Sequence, residues 1–123
     1  AGAQSGDLLE DARYAFTSER GFKAVVAPVA DADGKRLLEL ADQLRERLRS
    51  GVIVLASAAD GKVSLLAAVT KDLTGQVHAG KLVAEIAPLV GGKGGGRPDM
   101  AQAGGKDAEQ IPAALTRARE LLS

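Results

Sequence analysis

Residues 91–106 read Gly91-Gly92-Lys93-Gly94-Gly95-Gly96-Arg97-Pro98-Asp99-Met100-Ala101-Gln102-Ala103-Gly104-Gly105-Lys106, and seven of these sixteen residues are glycine. Such a run is entropically costly to hold in one conformation, so it is either disordered or ordered for a reason. A low-complexity linker would repeat Gly and Ser, whereas this stretch places Arg-Pro-Asp-Met-Ala-Gln between two glycine clusters. We therefore predict an ordered loop whose backbone amides point outward, beside Lys93, Arg97 and Lys106.

Basic residues concentrate around this stretch, although the chain as a whole has 16 Lys and Arg against 16 Asp and Glu. Residues 62–106 hold six basic residues and three acidic ones, a net charge of +3. Residues 1–61 hold eight against ten, and residues 107–123 hold two against three. The local excess favours a phosphate-bearing partner, and the alternative is a solvated surface with chance variation in charge.

Composition and length indicate one small domain of 123 residues. The absence of cysteine excludes disulfides and thiolate metal sites. No apolar run approaches the roughly 20 residues of a membrane span, so no membrane partner is expected. Residues 1–6 lack the basic end and apolar stretch of a signal peptide, and a chain that starts at Ala1 is expected to be a piece of a longer protein.

A β-α-β unit is predicted at the start of the domain. Residues 22–29 form a near-continuous apolar run typical of a strand, and residues 35–49 carry leucines at helical spacing. Asp31 or Asp33 would cap that helix. The β-branched run of residues 52–58 then predicts a buried strand parallel to the first.

A hairpin follows this unit. Asp60-Gly61 is a strong hairpin-turn signal, residues 62–70 are apolar enough for a strand, and residues 71–75 form a loop. A parallel pair with an antiparallel neighbour predicts an α/β domain with a mixed β-sheet covered by helices.

Three further helices are predicted from apolar spacing. The first covers residues 7–20 and would be an N-terminal helical remnant. The second covers residues 77–89, where Pro88 should kink or end it. The third follows residues 107–110, which resemble a capping box, although Pro112 obscures its start.

The sequence shows no clear group of residues with the types and spacing of a catalytic site. The single histidine, His78, lies near a predicted helix start, where a surface or capping role is the usual one. Asp31 and Asp33 are better explained by capping than by acid–base chemistry, and Asp99 is expected to bond backbone amides of the glycine loop. We predict no catalytic residue and no metal site.

The glycine stretch does not match the known phosphate-loop patterns. Lys93 is followed by Gly94 instead of Ser or Thr, and no window fits G-x-G-x-x-G. Anion binding through backbone amides and neighbouring cations stays open. The alternative is a structural loop whose glycines let two helices and a strand pack closely, and both interpretations can hold together. Because no aromatic residue follows Phe22, any RNA would be held through phosphates, 2′-hydroxyls and shape.

Residues 22–122 resemble the C-terminal globular domain of bacterial alanyl-tRNA synthetase, the DHH-associated domain called C-Ala. The glycine stretch 91–105 is the most specific part of this resemblance. Two shorter motifs also carry it, Gly61-Lys62-Val63-Ser64-Leu65 and Val69-Thr70-Lys71-Asp72-Leu73-Thr74-Gly75. By this resemblance residues 1–21 would be the end of a helical subdomain or linker, and residues 22–123 the DHH-associated domain.

The resemblance implies a non-catalytic domain that contacts the elbow of tRNA(Ala) and helps the aminoacylation and editing domains of the same cytoplasmic enzyme. It implies no cofactor here, because ATP, Mg and Zn would belong to upstream domains of the ATP-dependent ligase. A homodimer is a further implied partner. The residues expected to bind tRNA are Lys93, Arg97, Lys106, Gly91, Gly92, Gly94, Gly95 and Gly96, with Lys71 and Lys81 as weaker candidates.

Two alternatives stay open at this point. The related domain of DHH phosphodiesterases carries a glycine motif that ends in histidine, whereas Gly96 is followed here by Arg97, which argues against that substrate-binding role. The other alternative is a domain that mainly mediates dimerisation.

Overall fold

The computed structural model describes residues 13–123 and shows one six-stranded mixed sheet in the order β1-β2-β3-β4-β6-β5, with helices on both faces. The strands are β1 Ala15–Thr17, β2 Lys23–Ala30, β3 Val52–Ala59, β4 Lys62–Val69, β5 Lys93–Gly96 and β6 Met100–Gly105. The helices are α1 Gly34–Leu48, α2 Ala79–Ile86 and α3 Ile111–Leu122, with 3₁₀ turns at Lys71–Leu73, Ala87–Val90 and Ala108–Gln110. The predicted fold class is confirmed.

The predicted β-α-β unit and hairpin are also confirmed. Strands β2 and β3 pair in parallel with α1 between them, and β3 pairs antiparallel with β4. The carboxylate of Asp33 accepts a hydrogen bond from the backbone N–H of Arg36 at 2.9 Å, which caps α1. Asp60 and Gly61 both have positive φ, 53° and 75°, as the two-residue hairpin turn requires.

The core has two layers, one on each face of the sheet. Val52 and Val54 of β3 face α2 and α3, whereas Ile53 and Leu55 face α1. Because β3 and β4 are buried on both faces, their sequences are nearly continuous in apolar residues instead of alternating.

Pro28 lies inside β2 without breaking the sheet. The N–H of Val26 points to the β1 side, where it donates to the carbonyl of Tyr14 at 2.9 Å. Alternate residues of a strand point to the same edge, so the missing N–H of Pro28 faces that outer edge instead of β3.

The helix predicted over residues 7–20 is wrong for the described part of that segment. Residues 13–14 form a turn, and Ala15–Thr17 form β1, which pairs antiparallel with β2. Phe16 packs against the core and carries the guanidinium of Arg119 4.5 Å from its ring centroid. This tertiary contact overrides the helical spacing, and residues 7–12 lie outside the described residues.

The glycine-rich stretch is ordered as predicted, but it is not a loop. Strands β5 and β6 form an antiparallel hairpin, and β6 also pairs with β4, so the stretch completes the sheet. Glycine is depleted in strands, and no apolar alternation marks these two strands. Local sequence therefore gave no signal for them.

Two helix boundaries differ from the predictions. Helix α2 ends at Ile86 and a 3₁₀ turn with Pro88 follows, so the predicted effect of Pro88 is confirmed. The capping box at residues 107–110 is wrong, because Asp107 makes no side-chain cap and its carbonyl instead accepts from the N–H of Gln110 at 3.0 Å. Pro112 lies in the first turn of α3, where a proline is tolerated.

Helix α2 packs closely against the β5–β6 hairpin through a contact between two glycines. A Cβ atom built on Gly80 would lie 2.9 Å from the backbone nitrogen of Gly96, so no side chain fits there. The N–H groups of Ala79 and Gly80 donate to the carbonyls of Pro98 and Arg97 at 2.9 and 3.1 Å. The start of α2 and the hairpin turn therefore hold each other in place.

Replacing Gly80 by alanine should destabilise the domain by about 2 kcal/mol. Alanine favours a helix over glycine by about 1 kcal/mol, but the new methyl group would push against rigid backbone, and such overpacking costs about 1–3 kcal/mol or more. The free energy of unfolding in urea measures the change. Gly75→Ala is the control, because a Cβ there meets nothing within 4 Å, and an equal loss in both variants would contradict the steric explanation.

Candidate functional site

The β5–β6 hairpin has one covered side and one uncovered side. A Cβ on Gly94 would lie 2.9 Å from Cγ1 of Val83 in α2, so Gly94 faces α2. Because side chains alternate along a strand, Lys93 and Gly95 face the other way. On that other side α1 lies against β3 and β4. Its first residue, Gly34, contacts the hairpin through its carbonyl, which accepts a hydrogen bond from the Gln102 side-chain amide at 2.9 Å.

The uncovered side is called the open face below. It consists of residues that alternate in register across three neighbouring strands, as the pairing of β4 with β6 and of β6 with β5 shows. Its members are Ser64, Gln102, Gly104, Lys93 and Gly95.

Four of the five glycines predicted as site residues have an internal steric role. Gly91 has φ of 72° and closes the 3₁₀ turn before β5. Built Cβ atoms on Gly92 and Gly96 would lie 2.9 Å from Gly105 Cα and Ala101 Cβ respectively, and Gly94 faces Val83. The structural interpretation of the glycines is therefore right for these four.

Gly95 and Gly104 have no such role. A Cβ on Gly95 would come no closer than 4.0 Å to another atom, and one on Gly104 would lie 3.7 Å from the Val63 carbonyl, which is ordinary contact. Neither has positive φ, and both are exposed on the open face. Side chains would fit at these two positions, so packing within the domain does not explain why both are glycine. The effect of the two glycines is to leave the strand backbone uncovered. Sequence reasoning did not select Gly104, because only the strand register places it beside Gly95.

The predicted cations lie at opposite ends of the hairpin. Lys93 starts β5, opposite Gly104, and Lys106 lies two residues beyond Gly104, so these two lysines share one end. Arg97 follows the last residue of β5 and is about 13 Å away from Lys93 along the strand. Its side chain is 77% exposed and pairs loosely with Asp99, with Nε 3.6 Å from Oδ1.

Asp99 does not bond the glycine amides through its side chain, which corrects the prediction. Its carboxylate faces Arg97, and its backbone carbonyl accepts the N–H of Val69 at 2.9 Å. That bond ties the hairpin turn to the end of β4. It also brings Lys71, two residues after Val69, to the same end of the sheet as Arg97.

Lys81 lies near Arg97 in the first turn of α2, but the helix start itself has no donor left for an anion. The N–H groups of Ala79 and Gly80 bind hairpin carbonyls. Those of Lys81 and Leu82 donate to the Nδ1 atom and the carbonyl of His78 at 3.2 and 3.0 Å. His78 is therefore a helix cap, as expected, and all four amides of this terminus are occupied.

Outward-pointing amides were predicted for the whole glycine stretch, and the strand pairing limits them. The N–H of Arg97 donates to the Met100 carbonyl at 3.0 Å. Alternation then directs the amides of Lys93 and Gly95 to β6, and those of Gly94 and Gly96 to the outer edge. Gly80 packs against Gly96, and Gly94 is exposed with its amide accessible at this edge.

Within residues 13–123, no three His, Asp or Glu side chains are grouped as a metal site would require. No helix in the same range has the length and apolar character needed to cross a membrane.

A carboxylate clamp fixes the segment around Lys71. Asp72 accepts hydrogen bonds from the hydroxyls of Ser50 and Thr70, and these bonds hold the pKa of Asp72 below its ordinary value of 3.8. The clamp joins the start of β3 to the turn after β4.

The comparison with protein families identifies the class to which this fold and site belong. The DHHA1 domain family matches residues 21–123, so the chain belongs to that family.

Relatives of known name narrow this class. The chain is 53% identical over 115 residues to the alanine–tRNA ligase of Dechloromonas aromatica and 52% identical over 121 residues to that of Anaeromyxobacter dehalogenans. These matches cover 94% and 98% of the chain but 13% of each relative, so the chain spans a small part of their length. It also superimposes with a TM-score of 0.80 on the C-Ala domain of Aquifex aeolicus alanyl-tRNA synthetase, at 30% identity, covering 89% of this chain and 97% of that one. The resemblance predicted from the sequence is confirmed.

Alanine at Gly94 and at the neighbouring Gly95 should have opposite consequences for stability. Gly94→Ala places a methyl group against Val83 and Ala103 and should cost about 1–3 kcal/mol of unfolding free energy. The Cβ of Gly95→Ala would come no closer than 4.0 Å to another atom, so this variant should leave stability unchanged or raise it by up to about 0.5–1 kcal/mol. Urea unfolding of both variants measures this difference, and similar losses in the two would show that the alternation is misassigned.

Removal of the Asp72 carboxylate should change the pH dependence of stability. Because the folded pKa lies below the ordinary 3.8, ionised Asp72 stabilises the fold above that pH and loses its effect as pH falls through the folded value. Asp72→Asn should therefore lower the midpoint temperature of unfolding at pH 7. At pH 2 the midpoint of this variant should equal that of the unaltered chain. Thermal unfolding between pH 7 and pH 2 measures this, with Glu109→Gln as the control, and a difference that stays constant with pH would contradict it.

Proposed function

We propose that this domain binds tRNA specific for alanine through the open face, and holds it for the aminoacylation and editing domains of an alanyl-tRNA synthetase. The observation that carries the proposal is the pair Gly95 and Gly104. Both keep the sheet backbone bare and exposed where the fold itself would accept side chains. A bare backbone lets a ribose, a base edge or a phosphate approach to contact distance.

Charge supports RNA as the partner. Lys93 and Lys106 lie at one end of the hairpin and Arg97 at the other, all three exposed. Within residues 13–123, Lys93 and Lys106 form no salt bridge, and Arg97 has only its loose pair with Asp99. Lys71 and Lys81 lie near the Arg97 end and would add weaker contacts. Cations placed around a bare surface suit a phosphate backbone that crosses it.

The aromatic residues support recognition by shape. Tyr14, Phe16 and Phe22 lie at the β1–β2 edge, at the opposite end of the strand order from the hairpin, and each carries an arginine over its ring. The open face therefore offers no aromatic ring for stacking a base. Phosphates, 2′-hydroxyls and the shape of the tRNA elbow are the features left to recognise.

The proposal assigns no catalytic residue, metal or cofactor to this domain. ATP, Mg and Zn would serve the aminoacylation and editing domains upstream, which are its partners in the same enzyme. The setting would be the cytoplasm. The proposal assigns no dimer contact to the open face, so a homodimer of the enzyme is compatible with it.

A valine at Gly95 should abolish most of the tRNA binding without harming the fold. Valine suits a strand, keeps the net charge, and places its Cβ no closer than 4.0 Å to another atom, but its branched side chain would hold RNA off the backbone. Affinity for tRNA specific for alanine should fall about tenfold or more, while the unfolding midpoint stays within about 2 °C. Fluorescence titration at low and moderate salt measures this. Gly75→Val is the matched control at another exposed glycine.

The charged residues provide a second readout. Replacing Lys93 and Arg97 together by alanine should lower the slope of log affinity against log salt by about 1.4–1.8, since each lost phosphate contact removes about 0.7–0.9. Unchanged binding in both this variant and Gly95→Val would place the interface on another surface. Absence of binding by the unaltered chain at low salt would contradict the proposal and favour dimerisation as the main role, which light scattering would show as a mass that rises with concentration.

A further inference from the structure

Arg49 ends α1 in a strained γ-turn. Its φ and ψ are 64° and −43°, and the N–H of Ser50 donates to the carbonyl of Leu48 at 2.7 Å, two residues back. This form of γ-turn, with positive φ at its centre, is the rare and strained one. The other non-glycine residues with positive φ in the described chain are Asp31 and Asp60. Aspartate tolerates that region, whereas arginine gains no local hydrogen bond there.

The neighbouring residues explain why the backbone adopts this turn. Gly51 and Thr70 exchange hydrogen bonds, from the Gly51 N–H to the Thr70 hydroxyl at 3.0 Å and from the Thr70 N–H to the Gly51 carbonyl at 3.1 Å. Ser50 is held by Asp72, and the Arg49 N–H still donates to the Arg45 carbonyl at 2.8 Å. The chain is thus fixed on both sides of residue 49. The fold needs a positive φ there, which glycine supplies without strain, and it does not need an arginine.

The side chain of Arg49 is exposed and makes no hydrogen bond or ion pair within residues 13–123. It borders a groove that Lys71 and Thr70 also line. Of the two acidic residues in this groove, Asp42 is paired with Arg45, which leaves Glu46 to face two cations.

This groove adjoins the candidate interface. Lys71 follows β4, and the Val69 N–H bond to the Asp99 carbonyl brings the hairpin turn with Arg97 beside that end. Leu38 of α1 and Met100 of β6 pack in the same cluster, so the flank of α1 borders the hairpin. Arg49, Lys71 and Arg97 therefore lie along one end of the sheet.

We propose that Arg49 is an RNA phosphate contact, which extends the tRNA interface from the hairpin across the end of the sheet to the C-terminus of α1. This inference rests on the proposed function. A strained conformation kept by a residue that the fold does not require indicates a use for its side chain. The planar guanidinium can bind a phosphate through two hydrogen bonds. The helix dipole favours positive charge at this end of α1, but Arg45 and Arg47 already supply it in the last turn. Attraction to the dipole therefore does not account for a strained arginine at position 49.

The test is a substitution that should raise stability and lower binding at the same time. Arg49→Gly should raise the unfolding midpoint by about 2–5 °C by relieving the strain. It should also weaken binding of tRNA specific for alanine about 3–10-fold and lower the salt slope by about 0.7–0.9. Arg49→Lys keeps the charge and the strain, so it should retain most of the affinity with an unchanged midpoint.

Two controls separate the contributions of strain and charge. Asp60→Gly also removes a positive-φ side chain, in the β3–β4 turn, and should leave affinity unchanged. Arg117→Ala removes one positive charge from α3, on the opposite face of the sheet, and should change affinity less than twofold.

The outcomes are distinguishable. Unchanged affinity in Arg49→Gly, with normal binding by the unaltered chain and loss in Gly95→Val, overturns this inference and leaves the proposed function standing. An equal loss in Arg117→Ala, or a lowered midpoint in Arg49→Gly, also overturns it. No binding by the unaltered chain overturns both.

Discussion

The contact between Gly80 and Gly96 is the constraint on which the C-terminal half of the domain depends. Strand β5 lies at the edge of the sheet, and three of its four residues are glycine, so it has almost no side chain to bury. Its order comes from pairing with β6 and from α2, which approaches the backbone of Gly96 closely because Gly80 has no Cβ. The hydrogen bonds from the start of α2 to the hairpin turn complete this connection.

This close packing gives the two sides of the hairpin different roles. On the side of α2, glycine is a steric requirement, since Val83, Ala101 and Ala103 occupy the space that a side chain would need. On the open face, Gly95 and Gly104 have space around them. A single glycine-rich sequence therefore carries both a structural and a proposed binding role, divided by the two-residue period of the strand.

The two edges of the sheet are protected by different means. At the β2 edge, β1 covers part of the strand and Pro28 removes a donor from the rest, which makes pairing with another chain less favourable. At the β5 edge, α2 packs against Gly96 and leaves a short strand. Between these edges, the Asp72 clamp and the Thr70–Gly51 bonds fix the end of the sheet along which Arg49, Lys71 and Arg97 lie.

The sequence by itself determined the β-α-β unit, the β3–β4 hairpin, the Asp33 cap and the family, because these depend on apolar periodicity, local turn chemistry and a specific glycine motif. It also selected Lys93, Arg97 and Gly95. Only the tertiary structure showed that the glycine stretch forms two strands, that Ala15–Thr17 joins the sheet, that Gly104 lies opposite Lys93, and that Arg49 has a positive φ. Glycines have no side-chain pattern to indicate a strand, and the roles of these residues depend on neighbours that are distant along the chain and adjacent only after folding.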